Sequence, residues 1–405
     1  MTLNAKRKRV HDKLAAMPGV RTVRRPVTPG GTERFDLFHV RTGPLSAHPV
    51  VVIPGGPGVA SVQLYKGLRR HAAARGLDVM MIEHRGVGLS RHDDAGADLP
   101  PEAITVDQVV DDIAAVLDDA GIDTAVLYGT SYGSYLAAGF GVRHPERVRA
   151  MVLDSPVLSA RDIGAVRAAI RGLLLGGPLA PKVRRLIADG VMTPSAAHIA
   201  TMSYGIGGAG LLDRQLDLLL SGHTLLWRAM ERVGRVAARK VPYRNEMDLV
   251  GRIAFRELDY IGEPDGLPFD PSEAMRQMAD QIPGPTPDFE SEPYDLVREM
   301  PGFDWPTVVI SGGRDLITPP AVAREVASLI PGATLVGLPS AGHSVLDTRE
   351  RAALRIVRAV ARGDIASLPS RTAELDELPV NPALRLLFSW VGAAASVERK
   401  LPLRA

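Results

Sequence analysis

The run Thr124-Ala125-Val126-Leu127-Tyr128, Gly129-Thr130-Ser131-Tyr132-Gly133, Ser134-Tyr135-Leu136-Ala137-Ala138-Gly139-Phe140 decides how this chain folds. Its first five residues are apolar and β-prone, short enough for a buried strand. Its last seven are small and apolar, as a helix packed closely on a sheet requires. A serine on the sharp turn between them, with glycine two residues away on each side, is a nucleophile elbow. The glycines have a physical purpose, because side chains there would strike the neighbouring strand and helix. The turn lifts the Ser131 hydroxyl clear of the sheet and aims a helix N-terminus at it.

Five residues are a weak pattern in a chain with 40 glycines, so the surroundings must support it. Val50-Val51-Val52-Ile53 is a fully apolar strand that runs into Pro54-Gly55-Gly56-Pro57-Gly58, a loop suited to tight backbone geometry. In a hydrolase of this layout such a loop supplies one oxyanion N–H, here from Gly56, and the residue after the nucleophile, Tyr132, supplies the other. Thr307-Val308-Val309-Ile310-Ser311 is another buried strand and ends in Gly312-Gly313-Arg314-Asp315. Thr334-Leu335-Val336-Gly337-Leu338 is followed by Ala341-Gly342-His343. The chain order Ser131, Asp315, His343 is an acyl-transfer order.

His343 is selected by elimination, since it is the one histidine of ten that follows His223. A base that comes after the acid must lie in that part of the chain. Asp315 has an alternative in Asp154, which ends the strand Ala150-Met151-Val152-Leu153. Without these neighbours, Ser131 would read as a buried turn serine and His343 as an exposed or structural imidazole.

Five blocks carry a family resemblance: Pro54-Gly55-Gly56-Pro57-Gly58, Arg85-Gly86-Val87-Gly88-Leu89-Ser90, Gly129-Thr130-Ser131-Tyr132-Gly133-Ser134, Gly312-Gly313-Arg314-Asp315 and Gly342-His343. Together they resemble the proline iminopeptidase / tripeptidyl aminopeptidase group of α/β-hydrolases, over residues from about 35 to 155 and 300 to 365. The family usually has His where this chain has Pro54, and Asp-Gln where it has Glu83-His84. The resemblance implies release of an N-terminal residue or short peptide. It also implies a cap-helix Glu, closely followed by aromatic residues, that holds the substrate ammonium. Arg256-Glu257-Leu258-Asp259-Tyr260 is the matching stretch, which makes Glu257 the candidate, with Asp259 and Glu231 in reserve.

Bulk properties exclude several other classes. A net charge of +2 gives no case for nucleic acid as the main partner. Zero cysteines exclude disulfides, thiol catalysis and Cys-ligated metal. The basic start (Lys6, Arg7, Lys8, Arg9, Lys13, Arg21, Arg24 and Arg25 against Asp12) reads as a solvated amphipathic helix rather than a phosphate- or membrane-attracted arm. No apolar h-region follows it, and no apolar run has transmembrane length, so an integral membrane segment is not expected and a cytoplasmic protein is the default.

The expected architecture is α/β: a mostly parallel central sheet flanked by helices, with an inserted, mainly helical cap. Residues 1–34 form a basic leader, 35–155 and 304–368 the core, 156–303 the cap, and 369–405 a C-terminal extension. Within the core, Thr105 to Ala120 has the pattern of an amphipathic helix. Within the cap, Gly205-Ile206-Gly207-Gly208-Ala209-Gly210 follows no strand, so it reads as a flexible joint and not a nucleotide loop. Leu384 to Ala395 can lie on a membrane or pair with a second subunit in a homo-oligomer, but docking on its own domain is the simpler reading. No metal-ligand cluster and no nicotinamide fingerprint is found.

The chemistry expected from these residues needs no cofactor. His343 takes the Ser131 proton, Asp315 orients the imidazole, and Ser131 forms an acyl-enzyme that water hydrolyses. The substrate is a short peptide or other small molecule. An aminopeptidase is the first expectation, a carboxylesterase or lactonase the second, and a non-catalytic binding protein that keeps the fold the third. Epoxide hydrolysis and dehalogenation are disfavoured, because in this fold they use a carboxylate where this chain has Ser131.

Overall fold

A computed structural model of the chain describes residues 5–193, 197–237, 240–280, 282 and 284–400. Eight strands form one sheet: β1 (Val20–Pro26), β2 (Arg34–Thr42), β3 (Val50–Ile53), β4 (Val79–Ile82), β5 (Ala125–Thr130), β6 (Val148–Asp154), β7 (Thr307–Gly312) and β8 (Thr334–Leu338). Their order is β1-β2-β4-β3-β5-β6-β7-β8. The pairs β1/β2 and β2/β4 are antiparallel, and all the others are parallel.

Strand alternation builds two cores. Val51, Ile53, Leu127 and Met151 face one side with the helix Val106–Asp119, whose first turn is capped by the Thr105 hydroxyl. Val50, Val52, Val126, Tyr128, Val152, Val308 and Ile310 face the other side with the helix Glu350–Ala361. A parallel sheet covered on both faces reads as continuous apolar runs, and β3 and β5 do so.

The parallel register also gathers loops at one edge. Ile53 lies beside Gly129, Thr130 beside Asp154, and Gly312 beside Leu338. The segments after β3, β5, β7 and β8 therefore leave the sheet side by side, the usual place for a ligand in such sheets.

Between β6 and β7 the described residues form helices and no strand of this sheet. These helices bury an apolar cluster of their own, which includes Leu174, Leu186, Leu212, Leu216 and Trp227. The helix Pro382–Glu398 joins that cluster through Val391 and Ala395, and Glu398 caps the Leu225–Ala237 helix by accepting the N–H groups of Leu225 and Leu226 at 2.6 and 2.8 Å. This helix thus packs on the helical segment, while Leu375 earlier in the extension joins the core on the sheet.

The N-terminus departs from the expectation of a leader over residues 1–34. It supplies the helix Ala5–Ala15 and the edge strand β1. Arg7 is buried against Glu246 at 2.6 Å and donates to the Gly88 carbonyl, while Tyr243 donates to the Arg7 carbonyl. Arg21, Arg24 and Arg25 hid a strand, because an edge strand with one wet face can carry such charge.

A close backbone approach decides whether this edge can form. Ser131 has φ 52° and ψ −125°, a conformation that L side chains rarely adopt. A Cβ on Gly129 would overlap the Gly133 carbonyl, and one on Gly133 would overlap the carbonyls of Ile53 and Pro54. Gly133→Ala is expected to cost about 3 kcal/mol or more of stability, measured by chemical denaturation. A substitution within about 0.5 kcal/mol of the parent would show that β3 can move away freely.

Candidate active site

Ser131 follows β5 and is the residue before the helix Tyr132–Arg143. His343 lies on the segment after β8, with its Nε2 3.0 Å from Ser131 Oγ. Its Nδ1 is 2.9 Å from Asp315 Oδ2 on the turn after β7. The structure therefore brings together the three residues named from chain order. Asp315 is 1% exposed, and its other oxygen accepts the N–H groups of Ile317 and Thr318, both at 2.9 Å. The Thr318 hydroxyl donates to Asp315 Oδ2 at 3.0 Å. Sequence reading did not single out Thr318, although an Asp with a Thr three residues on is a recognisable capping turn.

These contacts set the electrostatics. Burial opposes ionisation of Asp315, but the charge and hydrogen bond of His343 and the two N–H donors outweigh it, so the carboxyl pKa is lowered. Burial alone would lower the His343 pKa. Asp315 more than reverses this, with Asp154 and Asp347 adding, and the imidazole pKa is raised.

Asp154 is held away from the base. Its carboxylate accepts the N–H groups of Val345 and Leu346 at 3.1 and 2.8 Å and the Tyr128 hydroxyl at 2.9 Å. Burial pushes its pKa up to about 6 against these hydrogen bonds. No hydrogen bond joins it to His343, and this geometry favours Asp315 over Asp154 as the partner of the imidazole.

Gly56 and Ser131 line one cavity, and Tyr132 is the first residue of its helix, so its N–H has no intrahelical acceptor. The Gly56–Pro57 peptide is cis. Two buried carboxylates hold the surrounding backbone. Glu83 accepts the N–H groups of Ser61 and Val62 at 2.6 and 2.9 Å and of Leu89 at 3.2 Å. Glu246 accepts the Gly88 N–H at 2.5 Å, and its own N–H donates to the Gly58 carbonyl at 2.8 Å. The helical segment thus touches the Gly56 loop directly.

The cavity has a volume of about 970 Å³. Ser131 and His343 sit in its wall, and most of the lining is apolar. Glu257 does not line it. That carboxylate is 7% exposed, accepts the Val106 N–H at 2.9 Å and lies 2.5 Å from the Arg256 guanidinium. The structure thus puts Glu257 to use as a cap for the Val106–Asp119 helix. The local sequence resembles the amine-binding pattern, but the helix Arg252–Arg256 ends before it, so Glu257 is the C-cap and Asp259, at φ 47°, lies beyond the helix. Asp259 lines the cavity, as does Asp162, whereas Glu231 does not. Burial raises the Asp162 pKa to about 7, although the Leu158 N–H donates to it at 2.8 Å. Asp162 was missed because it opens a helix, where an acidic residue reads as a dipole partner.

Among the described residues no cluster of His, Cys, Asp or Glu could hold a metal ion, and no single helix is long and apolar enough to cross a membrane.

Comparisons with known proteins agree with the fold. Residues 48–177 match the α/β-hydrolase fold family. The chain is 27% identical over 325 residues to the polyketide synthase ThaQ of Burkholderia thailandensis, covering 80% of this chain and 12% of that protein. It is 30% identical over 133 residues to the proline iminopeptidase of Heyndrickxia coagulans, covering 32% of this chain and 42% of that one. It therefore spans less than half the length of either relative. The crystal structure of a Mycobacterium smegmatis proline iminopeptidase superposes with a TM-score of 0.53 at 18% identity, over 86% of this chain and 100% of that one. The chain is an α/β hydrolase in fold, with its sequence resemblance in the proline iminopeptidase group.

Glu83 offers a test of the support beneath the loop. Burial raises its pKa from 4.5 to about 7, against the three N–H donors. A carboxyl whose pKa is higher in the folded chain stabilises the fold most when protonated, so its contribution falls as pH rises from 4.5 to 7. Denaturation midpoints across that range should decline less in Glu83→Gln than in the parent; parallel curves would contradict the assignment.

Proposed function

We propose that the chain is a serine hydrolase that forms an acyl-enzyme on Ser131, and within that class an aminopeptidase acting on a free amino terminus. The relay from Asp315 through His343 to Ser131, opening into one cavity, carries this reading. Neutral His343 accepts the Ser131 proton through Nε2 as Oγ attacks the carbonyl carbon. Asp315 accepts from Nδ1–H, fixes that tautomer and stabilises the imidazolium. The N–H groups of Gly56 and Tyr132 would face the oxyanion, where loss of one donor typically costs about 3 kcal/mol. The protonated imidazole then gives its proton to the departing amine, and water repeats the sequence on the acyl-enzyme. In this reading residues 156–303 serve as the cap over Ser131.

Support for the peptidase comes from the relatives and from Asp162 and Asp259, two carboxylates in the cavity wall that can accept an ammonium. They replace Glu257 as the proposed amine site. A second reading is hydrolysis of an ester or thioester with a bulky acyl chain. The apolar cavity favours it, and the longer sequence match is to a polyketide synthase.

Two experiments follow. A fluorophosphonate should add covalently to Ser131, and Ser131→Ala or His343→Ala should lower turnover by about 10⁴-fold or more, non-additively. The acid limb of kcat/KM should lie above the ordinary imidazole range of about 6.5, because His343 works when neutral and its pKa is raised. In Asp315→Asn the residual activity should show that limb at lower pH; an unmoved limb would detach it from His343.

A parallel screen separates the substrates. Prolyl and alanyl chromogenic amides should be cleaved, N-acetylation should abolish cleavage, and Asp162→Asn should act mainly on KM. Their use should also improve as pH rises through about 7, where Asp162 ionises. Ready turnover of acyl p-nitrophenyl esters with no cleavage of free-amino amides would transfer the proposal to an esterase.

A further inference from the structure

The turn that carries Asp315 also carries Arg314, whose half-buried side chain lines the cavity with Ser131 and His343. Arg314 has no hydrogen-bond or ion-pair partner for its guanidinium among the described residues. A second guanidinium in the same wall, Arg349, is fully engaged elsewhere. It donates to the Ser340 hydroxyl and carbonyl at 2.6 and 2.9 Å and to the Asp376 carbonyl, and lies 3.7 Å from the Asp376 carboxylate. Burial lowers the Arg349 pKa, Asp376 opposes this, and the positive charge of Arg314 adds to the lowering. One side of the cavity thus holds two cations, and Arg314 is left without an anion.

The helix Ala197–Leu220 is shaped around this cation. It breaks at Gly208, which has φ 67° and ψ −168°. A Cβ at Gly208 would lie 3.0 Å from both Cζ and Nε of Arg314. Any side chain there would press on the guanidinium, so the glycine run that reads as a joint forms the bay in which Arg314 sits. A half-buried cation beside another cation is costly unless a counter-charge arrives. The described residues supply none, which leaves the Arg314 guanidinium available to an anionic ligand.

Guanidinium geometry names the chemistry, because its planar fork matches the two oxygens of a carboxylate or a phosphate. Ile163, Val166, Met202, Ile206 and Leu316 give the rest of the wall its apolar character. We propose that Arg314 is an anion-binding subsite, and that the cavity takes a compound with an apolar body and a carboxylate or phosphate. The assignment rests on the reading of Ser131 as nucleophile only for its meaning as a substrate site; anion binding itself does not require turnover. A peptide-like leaving group would bring the carboxylate, and a phosphorylated carrier arm would bring the phosphate.

The test measures binding in Ser131→Ala, so that nothing is consumed. N-octanoylglycine is compared with N-octanoylglycinamide, and phosphorylated N-octanoylethanolamine with N-octanoylethanolamine, by titration calorimetry. At least one charged member should bind about tenfold more tightly than its neutral partner, as a charged hydrogen-bonded pair provides. That advantage should shrink with added salt. It should vanish in Ser131→Ala/Arg314→Gln and persist in part in Ser131→Ala/Arg314→Lys. The pair with the larger advantage identifies the source of the anion. No advantage in either pair, or one that survives Arg314→Gln, overturns the proposal. If the Gln variant does not fold, the tighter ligand should protect Arg314 from phenylglyoxal modification read by mass spectrometry, and lack of protection overturns it equally. Fluorophosphonate labelling of the native chain reports separately on Ser131, so the two ideas can fail independently.

Discussion

Asp154 ends β6 with no exposure, and its carboxylate accepts two N–H groups from the segment after His343 and the hydroxyl of Tyr128 from β5. Its own carbonyl accepts the Ser131 N–H at 2.9 Å. One residue therefore ties together the elbow, the strand beneath it and the loop that presents the imidazole. Each buried donor left unpaired costs about 1–3 kcal/mol, so these bonds hold the loop to the sheet although it has no ladder. The Ser344 hydroxyl extends the anchor, accepting from Thr130 at 2.9 Å and donating to Asp347 at 2.6 Å. The spacing between Ser131 and His343 is thus a property of the sheet and not of two mobile loops.

The opposite side of the site is held less by the sheet and more by the helical segment. Residues 244–246 bond to the backbone around Gly58 and Ala60, and Glu246 links Gly88 to Arg7. Motion of that segment relative to the sheet would alter the Gly56 loop while leaving the Ser131–His343 contact untouched. The cavity also has chemically different walls, with Asp162 and Asp259 on one set of elements and Arg314 and Arg349 on another. An apolar chamber with separate acidic and basic positions orients a ligand by charge as well as by shape.

What could be read from the sequence was local or followed from parallel-sheet topology. The elbow, the apolar β3 and β7 and the order Ser131, Asp315, His343 all sit at strand ends, where neighbours in sequence are neighbours in the site. The helix Val106–Asp119 announced itself by its amphipathic period, and the structure adds its Thr105 cap. The strand β1 did not, because Arg21, Arg24 and Arg25 mask its period-two pattern. Glu257 and Asp259 show the other failure. Two residues apart where the helix Arg252–Arg256 ends, they point different ways, because the backbone reverses at Asp259 and Glu257 is held by the Val106 N–H. The use of Gly208 was equally hidden, since Arg314 meets it from more than a hundred positions away.

The helix Pro382–Glu398 brings Leu384 into the cavity wall and caps the Leu225–Ala237 helix through Glu398. It follows the sheet and the β6–β7 helices in chain order, and chains are synthesised from the N-terminus. The sheet, the elbow and the relay can all assemble while this helix is still unmade. The chamber cannot, because Leu384 in its wall arrives after them. A nascent chain would pass through a stage with the Ser131 hydroxyl in place and the cavity still open on the side that Leu384 later covers.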